Sequence, residues 1–385
     1  MGDTLNPVVI LDSTAVHGRR PFTRADSALL LALVRTGRIR LVIPEVVLYE
    51  LSRQWAKDLA DRRRDFRKAH AAINGVLADA DVATVTSSVA PSLGRSVFYD
   101  AAATMLTRNG VEVPRYPEVP LGDLLERDLD ERKPFASTGK GFRDALIWET
   151  VKVICAGVAP STPVLFVTNN SGDFCVSKRD RTLHPDLRAE MPDLEAFEVV
   201  PFLRASLEHG AIKPLAEVLR VVEGAFTAQH VADLVKTALQ GLEGAVPEPD
   251  FDLFGDDDRY EHPFRTSLSD AVFDRIFPDM GTIGYEVYHT GDQGEMTLTV
   301  GIEADCSLDG FIDRNMGSAD GYAYYEDWSR EMLRVIEHPR RARFVLSAAF
   351  TAATIDSVEL TVDEVEEITL LTPLATHGGA RELKR

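Results

Sequence analysis

The stretch PVVILDSTAV, Pro7 to Val16, is an apolar run that stops on one carboxylate, Asp12, followed by two hydroxyls, Ser13 and Thr14. Four consecutive apolar residues, Val8–Leu11, without polar alternation are the pattern of a strand covered on both faces. A charge is costly within such a strand but is tolerated at its carboxyl end, where loops converge in an open parallel sheet and ligands bind. Leu41–Ile43 and Val164–Val167 are runs of the same type. The patterns between and beside them predict helices over Ala25–Arg35, from Pro44 to near Ala80, and over Arg143–Ala156. Strands alternating with helices imply βαβ units and a parallel sheet with helices on both faces. The longer segment Ser92–Arg132 reads as an inserted pair of helices, Val97–Arg108 and Leu121–Glu131, around the proline-marked turn VPRYPEVP.

Beyond residue 205 the pattern changes. A helical stretch near Phe226–Leu242 precedes the Pro- and Asp-rich VPEPDFDLFGDDDRYEHPF, so residues 206–262 read as a helical segment and acidic linker. Asp256, Asp257 and Asp258 within it lack the ligand spacing of a calcium-binding EF-hand loop. The alternating runs MTLTVGIEA, RFVLSAAFTA and SVELTV then predict a half-exposed antiparallel sheet, with a helix expected near Tyr325–Ile336. Residues 263–385 are accordingly expected to form an acidic α+β domain, separate from the α/β domain of residues 1–205.

The bulk numbers narrow the function. The chain has 385 residues, 45% hydrophobic and 27% charged, an ordinary globular balance. It has no leader-like N-terminus and no apolar run of membrane-spanning length, so a soluble, cytoplasmic protein without membrane contact is expected. Its three scattered cysteines, Cys155, Cys175 and Cys306, argue against a disulfide framework or a cysteine metal site. Residues 1–200 carry 26 Lys and Arg against 27 Asp and Glu, so nearly all of the net charge of −19 falls in the remainder. Phosphate backbones are repelled by an acidic surface, which places any nucleic-acid contact in the first half.

Carboxylates recur where a parallel sheet would bring them together. Asp12 ends the first strand, and Asp173, in LFVTNNSGDF, follows another strand after a polar turn. Glu50, in VIPEVVLYEL, sits among Leu48, Leu51 and Trp55, an apolar setting for an acid, and Asp144 lies in the first turn of the helix after TGKGFRDALIWETV begins. Singly, each has an ordinary explanation as a turn, cap or first-turn acid, and Glu45 is accounted for by the helix dipole. Together they would repel and raise one another's pKa unless a cation compensates. Such all-oxygen sites suit Mg²⁺ or Mn²⁺, and the chemistry they point to is metal-dependent phosphodiester hydrolysis.

Taken in order, VVILDST, IPEVVLYEL, GKGFRDALIWETV and LFVTNNSGDF resemble the PIN-domain nucleases over roughly residues 5–200. The resemblance implies a parallel sheet flanked by helices, metal-binding carboxylates at Asp12, Glu50, Asp144 and Asp173, and polar support from Thr14, Thr168 and Asn170. It also implies Mg²⁺- or Mn²⁺-dependent cleavage of single-stranded RNA. ERDLDERKPFASTGKGFRDALIW and LHPDLRAEM are similar to a larger bacterial branch of the family, in which Arg127, Lys133, Lys140, Arg143 and, more weakly, His184 become candidates for substrate phosphate. Lys140, between two glycines, is the one most open to a phosphate. The basic stretch Arg62–His70 is interrupted by Asp65 and preceded by Asp61, the composition of a solvated helix face. Asn169 and Asn170 stand where some PIN proteins carry another acid.

Two other enzyme classes fit less well. A haloacid-dehalogenase-type site needs an acid two residues after Asp12, where Thr14 stands, and no P-loop follows a strand. The competing expectation of a different kind is a PIN-like scaffold without turnover. The acidic half is expected to regulate the domain, bind a protein partner or form a homo-oligomer.

Overall fold

The computed structural model describes residues 6–16, 22, 24–79, 93–135, 140–177, 180–221, 226–245, 268–291, 294–313, 322–327, 329 and 332–369. The chain divides into two compact units, with the boundary between Val218 and Leu219. The acidic tract Asp256–Asp258 lies outside the described residues.

In the first unit, β1 (Val8–Leu11), α1 (Ala25–Arg35), β2 (Arg40–Val42), α2 (Glu45–Asp79), α3 (Arg95–Arg108), α4 (Leu121–Leu129) and α5 (Phe142–Ala156) lead to β3 (Val164–Val167). The short helices α6 (Ser171–Phe174) and α7 (Pro185–Arg188) precede β4 (Phe197–Val200), and α8 (Leu203–Glu208) and α9 (Lys213–Glu217) close the unit. The four strands form one parallel sheet in the order β2-β1-β3-β4. Val8–Leu11 and Val164–Val167 are at most 1% exposed, which explains their unbroken apolar character. Each such side chain withdrawn from water contributes about 1.5–3 kcal/mol before conformational entropy is set against it.

The sheet register sets the site. Leu11 pairs with Val167, and the Asp12 amide donates to the Val167 carbonyl at 3.0 Å, so Asp12 and Thr168 leave adjacent strands at one level. Helix α2 buries Val46, Val47, Leu48 and Leu51 in its first turns. Further on it packs on α3, where Trp55 stacks on Phe98 with centroids 5.3 Å apart.

The second unit contains α10 (Ala228–Gln240) and the strands β5 (Ser269–Pro278), β6 (Gly284–His289), β7 (Met296–Asp313), β8 (Tyr324–Asp327), β9 (Met332–Ile336), β10 (Arg340–Phe350) and β11 (Thr361–Thr369). They form an antiparallel sheet in the order β11-β10-β7-β9-β8, with β5 and β6 also paired to β7. One face of α10, with Val231, Val235 and Leu239, shares a core with Leu298, Val300, Ile302 and Phe344.

The helix expected near Tyr325–Ile336 is instead the pair β8 and β9. Leu333 and Val335 are buried while Arg334 between them is not, a period of two that pairing with β7 imposes on residues of good helix propensity. Among the described residues no helix is long and apolar enough to cross a membrane.

Candidate functional site

Asp12 is the best-held acid at the sheet's carboxyl rim. It is 1% exposed and its carboxylate accepts from the Ser13 amide at 2.6 Å, Thr14 Oγ1 at 2.8 Å and Thr168 Oγ1 at 2.7 Å. Thr168 accepts from the Asn170 amide at 3.0 Å and Thr14 from the Asn169 amide at 2.9 Å, so the two hydroxyls tie the loop after β3 to the loop after β1. Burial pushes the Asp12 carboxyl above its ordinary value, and these hydrogen bonds oppose the shift.

The other three acids come from separate helices. Glu50, on α2, is buried and pairs with Arg143 of α5. Burial and the nearby Asp12 charge raise its pKa, while Arg143 opposes them. Asp144, in the first turn of α5, accepts from Asn170 Nδ2 at 3.1 Å, and the same nitrogen donates to Asp173 at 2.8 Å. Asp173 is held from below by its neighbour Phe174, which is fully buried and edge-on to Phe166 at 4.9 Å. Asp144 is pushed up to about 8 by burial, then by the charges of Asp12, Asp173 and Glu50, with Arg143 acting against them. The four acids are therefore close enough for the other three to act on Asp144, from segments spanning residues 12 to 173.

The polar residues expected around them divide by what they touch. Thr14 and Thr168 are buried and their hydroxyls serve Asp12. Asn170 bridges two acids, and Lys133 donates to the Gly172 carbonyl at 2.7 Å beside Asp173. Lys140 is exposed just ahead of α5. Arg143 is half exposed at the rim with its charge shared by Glu50.

Arg127 is engaged with two acids and a backbone carbonyl. Its buried guanidinium donates to the Lys133 carbonyl at 2.7 Å and pairs with Glu190 at 2.7 Å and Glu149 at 3.4 Å, where Lys152 and Trp148 Nε1 also converge. His184 caps α7 by accepting from the Asp186 amide at 3.3 Å. Arg181, which sequence reasoning missed, donates to the Thr168 carbonyl at 3.3 Å and Asn169 Oδ1 at 3.2 Å. It stands beside an antiparallel bridge between Cys175 and Leu183, with the Val176 amide donating to the Thr182 carbonyl, which no local pattern announces.

The donor set is all oxygen, with Arg143 and Arg53 acting against the raised pKa of Glu50 and Arg143 against that of Asp144, a chemistry that suits a hard divalent cation. Among the described residues, no three His, Cys, Asp or Glu side chains stand together as a ready-made metal centre. The acids are occupied instead by hydroxyl, amide and guanidinium donors, each of which a cation would replace or share.

Residues 9–174 match a family model described as PIN domain, an interval that ends just past Asp173 and includes all four acids. No curated protein and no solved structure matches the chain. The parallel sheet, the acids at its carboxyl rim and the extent of the match agree: the N-terminal segment of this chain belongs to the PIN-domain nuclease family.

Proposed function

We propose that the PIN domain hydrolyses phosphodiester bonds in single-stranded RNA, with Mg²⁺ or Mn²⁺ held by Asp12, Glu50, Asp144 and Asp173. The observation that carries this reading is the gathering of four acids at one rim, where burial, and then the charges of Asp12, Asp173 and Glu50, push the Asp144 carboxyl up to about 8. The chemistry supplied by the bound ion is polarisation of a phosphoryl oxygen and a lowered pKa of the attacking water. Asp12, fixed by Thr14 and Thr168, orients the donor set. Asn170 bridges Asp144 and Asp173 and offsets part of their repulsion. Lys140, just ahead of α5, and Arg143, in its first turn, would take the substrate phosphate. The acidic C-terminal unit is then a regulatory or partner-binding module, since its charge disfavours RNA.

A second reading, a PIN fold that binds without cleaving, is favoured by the Arg143 charge already on Glu50 and by the absence of a preformed cluster among the described residues. Incubating the full chain with labelled single-stranded RNA and DNA in Mn²⁺ separates the two. Cleavage abolished by EDTA and by Asp12→Asn, with the circular dichroism spectrum unchanged, supports the nuclease. Intact substrates in both Mg²⁺ and Mn²⁺ would establish the scaffold.

A further inference from the structure

A groove of 600 Å³ runs from Glu50 and Arg143 across the first turns of α2 and α5 to the loop before α4. Clefts of this size hold small organic groups. Three aromatic rings line it: Tyr49, Tyr116 and Phe142. Phe142 is 51% exposed and Tyr49 42% exposed, which is costly for rings that serve no partner. Tyr49 is also fixed in place. It stacks on Tyr99 with centroids 5.0 Å apart and planes within 11°, and both hydroxyls donate to Glu45. Arg53 and Arg95 add two exposed guanidinium groups to the same wall, and Glu118 a carboxylate.

We infer that this groove holds one unstacked nucleobase of a single-stranded nucleic acid, adjacent to the bond placed at the acidic rim. Charge and shape select this occupant. Exposed aromatic faces beside guanidinium groups bind a base and its flanking phosphate together, through stacking and charge, whereas a paired duplex offers no free base face. Glu118 would repel a phosphate but can accept from a base's amino group, so the phosphate belongs at Arg53 and Arg95. Glu50 lines the groove and is also one of the four acids, so a base seated there brings its own backbone to the rim. The inference deepens the proposed nuclease reading and rests on it for the position of the scissile bond.

The test uses the full chain carrying Asp12→Asn, which leaves substrate uncut, and the anisotropy of a labelled single-stranded oligoribonucleotide. Phe142→Ala and Tyr116→Ala are each expected to weaken binding by about tenfold or more, and Phe142→Trp to retain it. Removing one base from the oligonucleotide at the occupied position should weaken binding to the parent and have little further effect in Phe142→Ala. Unchanged affinity in both alanine variants, with native circular dichroism, overturns the inference, as does equal binding of duplex. So does a protein ligand displaced by Phe142→Ala when no nucleic acid binds at all. Cleavage by the unsubstituted chain is scored separately. Tight base binding without cleavage defeats the nuclease reading alone, and cleavage with KM unchanged in the alanine variants defeats the groove alone.

Discussion

Thr168 Oγ1 donates to Asp12 Oδ2 at 2.7 Å across 156 residues of sequence, at the point where β3 and β1 end side by side. The hydroxyl accepts from the Asn170 amide as well, so it links the best-buried acid to the loop that carries two more of the site's polar groups. Replacing such an oriented outer donor typically costs a metal site about 10–100-fold in affinity or activity. Thr168→Val keeps the volume and leaves Asp12 with its Ser13 and Thr14 donors. It is expected to lower Mn²⁺ affinity in calorimetry and cleavage rate together within that range, and Thr168→Ser to restore both.

The pH dependence follows from Asp144. In the unfolded chain its proton leaves near 3.8, in the folded chain near 8, so between those values the native state binds more protons. Stability in EDTA therefore falls as pH rises through this window, and is fully present only below it. Asp144→Asn removes the opposed charge. It should raise the melting temperature at pH 9 in EDTA by about 2–4 °C for each kcal/mol relieved, and flatten the pH slope, while cleavage is lost. Mn²⁺ binding by the parent should release protons at pH 7 and tighten toward pH 8. A slope of the same size in Asp144→Asn would assign the effect to the other acids whose pKa burial raises, Asp12, Glu50 and Asp26.

Much of this site was legible because its acids break local rules. Asp12 ends an apolar strand, and Glu50 lies on the apolar face of a helix; both violations are visible without partners. The limits of α1, the end of α3 and the first turn of α5 that carries Asp144 likewise followed from apolar periodicity and glycine punctuation. Partners were not legible. Arg127 and Arg143 looked like phosphate ligands, yet one pairs with Glu190, 63 residues away, and the other with Glu50, 93 residues away. Strand β4 escaped notice because FEVV is short and followed at once by Pro201, while β9 was misread because Met332–Ile336 carries helix formers that only pairing with β7 overrides.

Arg127 and Lys140 separate a structural charge from a phosphate-binding one. Its guanidinium is buried with two carboxylates, and removing one partner of a buried ion pair costs about 3–5 kcal/mol because charge is left unpaired. Lys152 stays beside Glu149 and Glu190 and should reduce that figure. Arg127→Ala is expected to lower the denaturation midpoint clearly while leaving the salt dependence of RNA binding unchanged. Lys140→Ala should do the reverse, keeping stability and reducing the salt slope by about one charge.

Gly141 tests whether the placement of Asp144 depends on backbone geometry. Its φ of +123° is a conformation that side chains rarely adopt. A Cβ there would lie 2.6 Å from the Pro134 carbonyl oxygen and 2.9 Å from Phe135 Cα, backbone atoms that cannot swing aside. The Pro134–Phe135 turn is itself pinned, because Arg127 holds the Lys133 carbonyl and Phe135 packs with Leu124 and Ala145. Gly141→Ala must therefore shift the start of α5, and with it Asp144 and Arg143. Backbone strain of this kind costs about 1–3 kcal/mol. The expected result is a lower melting temperature together with weakened Mn²⁺ binding. Gly157→Ala, whose added Cβ would meet nothing closer than the Ile154 carbonyl at 3.5 Å, should change neither by a comparable amount. Equal effects at the two glycines would mean that Gly141 matters only as a generic helix-end residue and that the acid at position 144 is placed by something else.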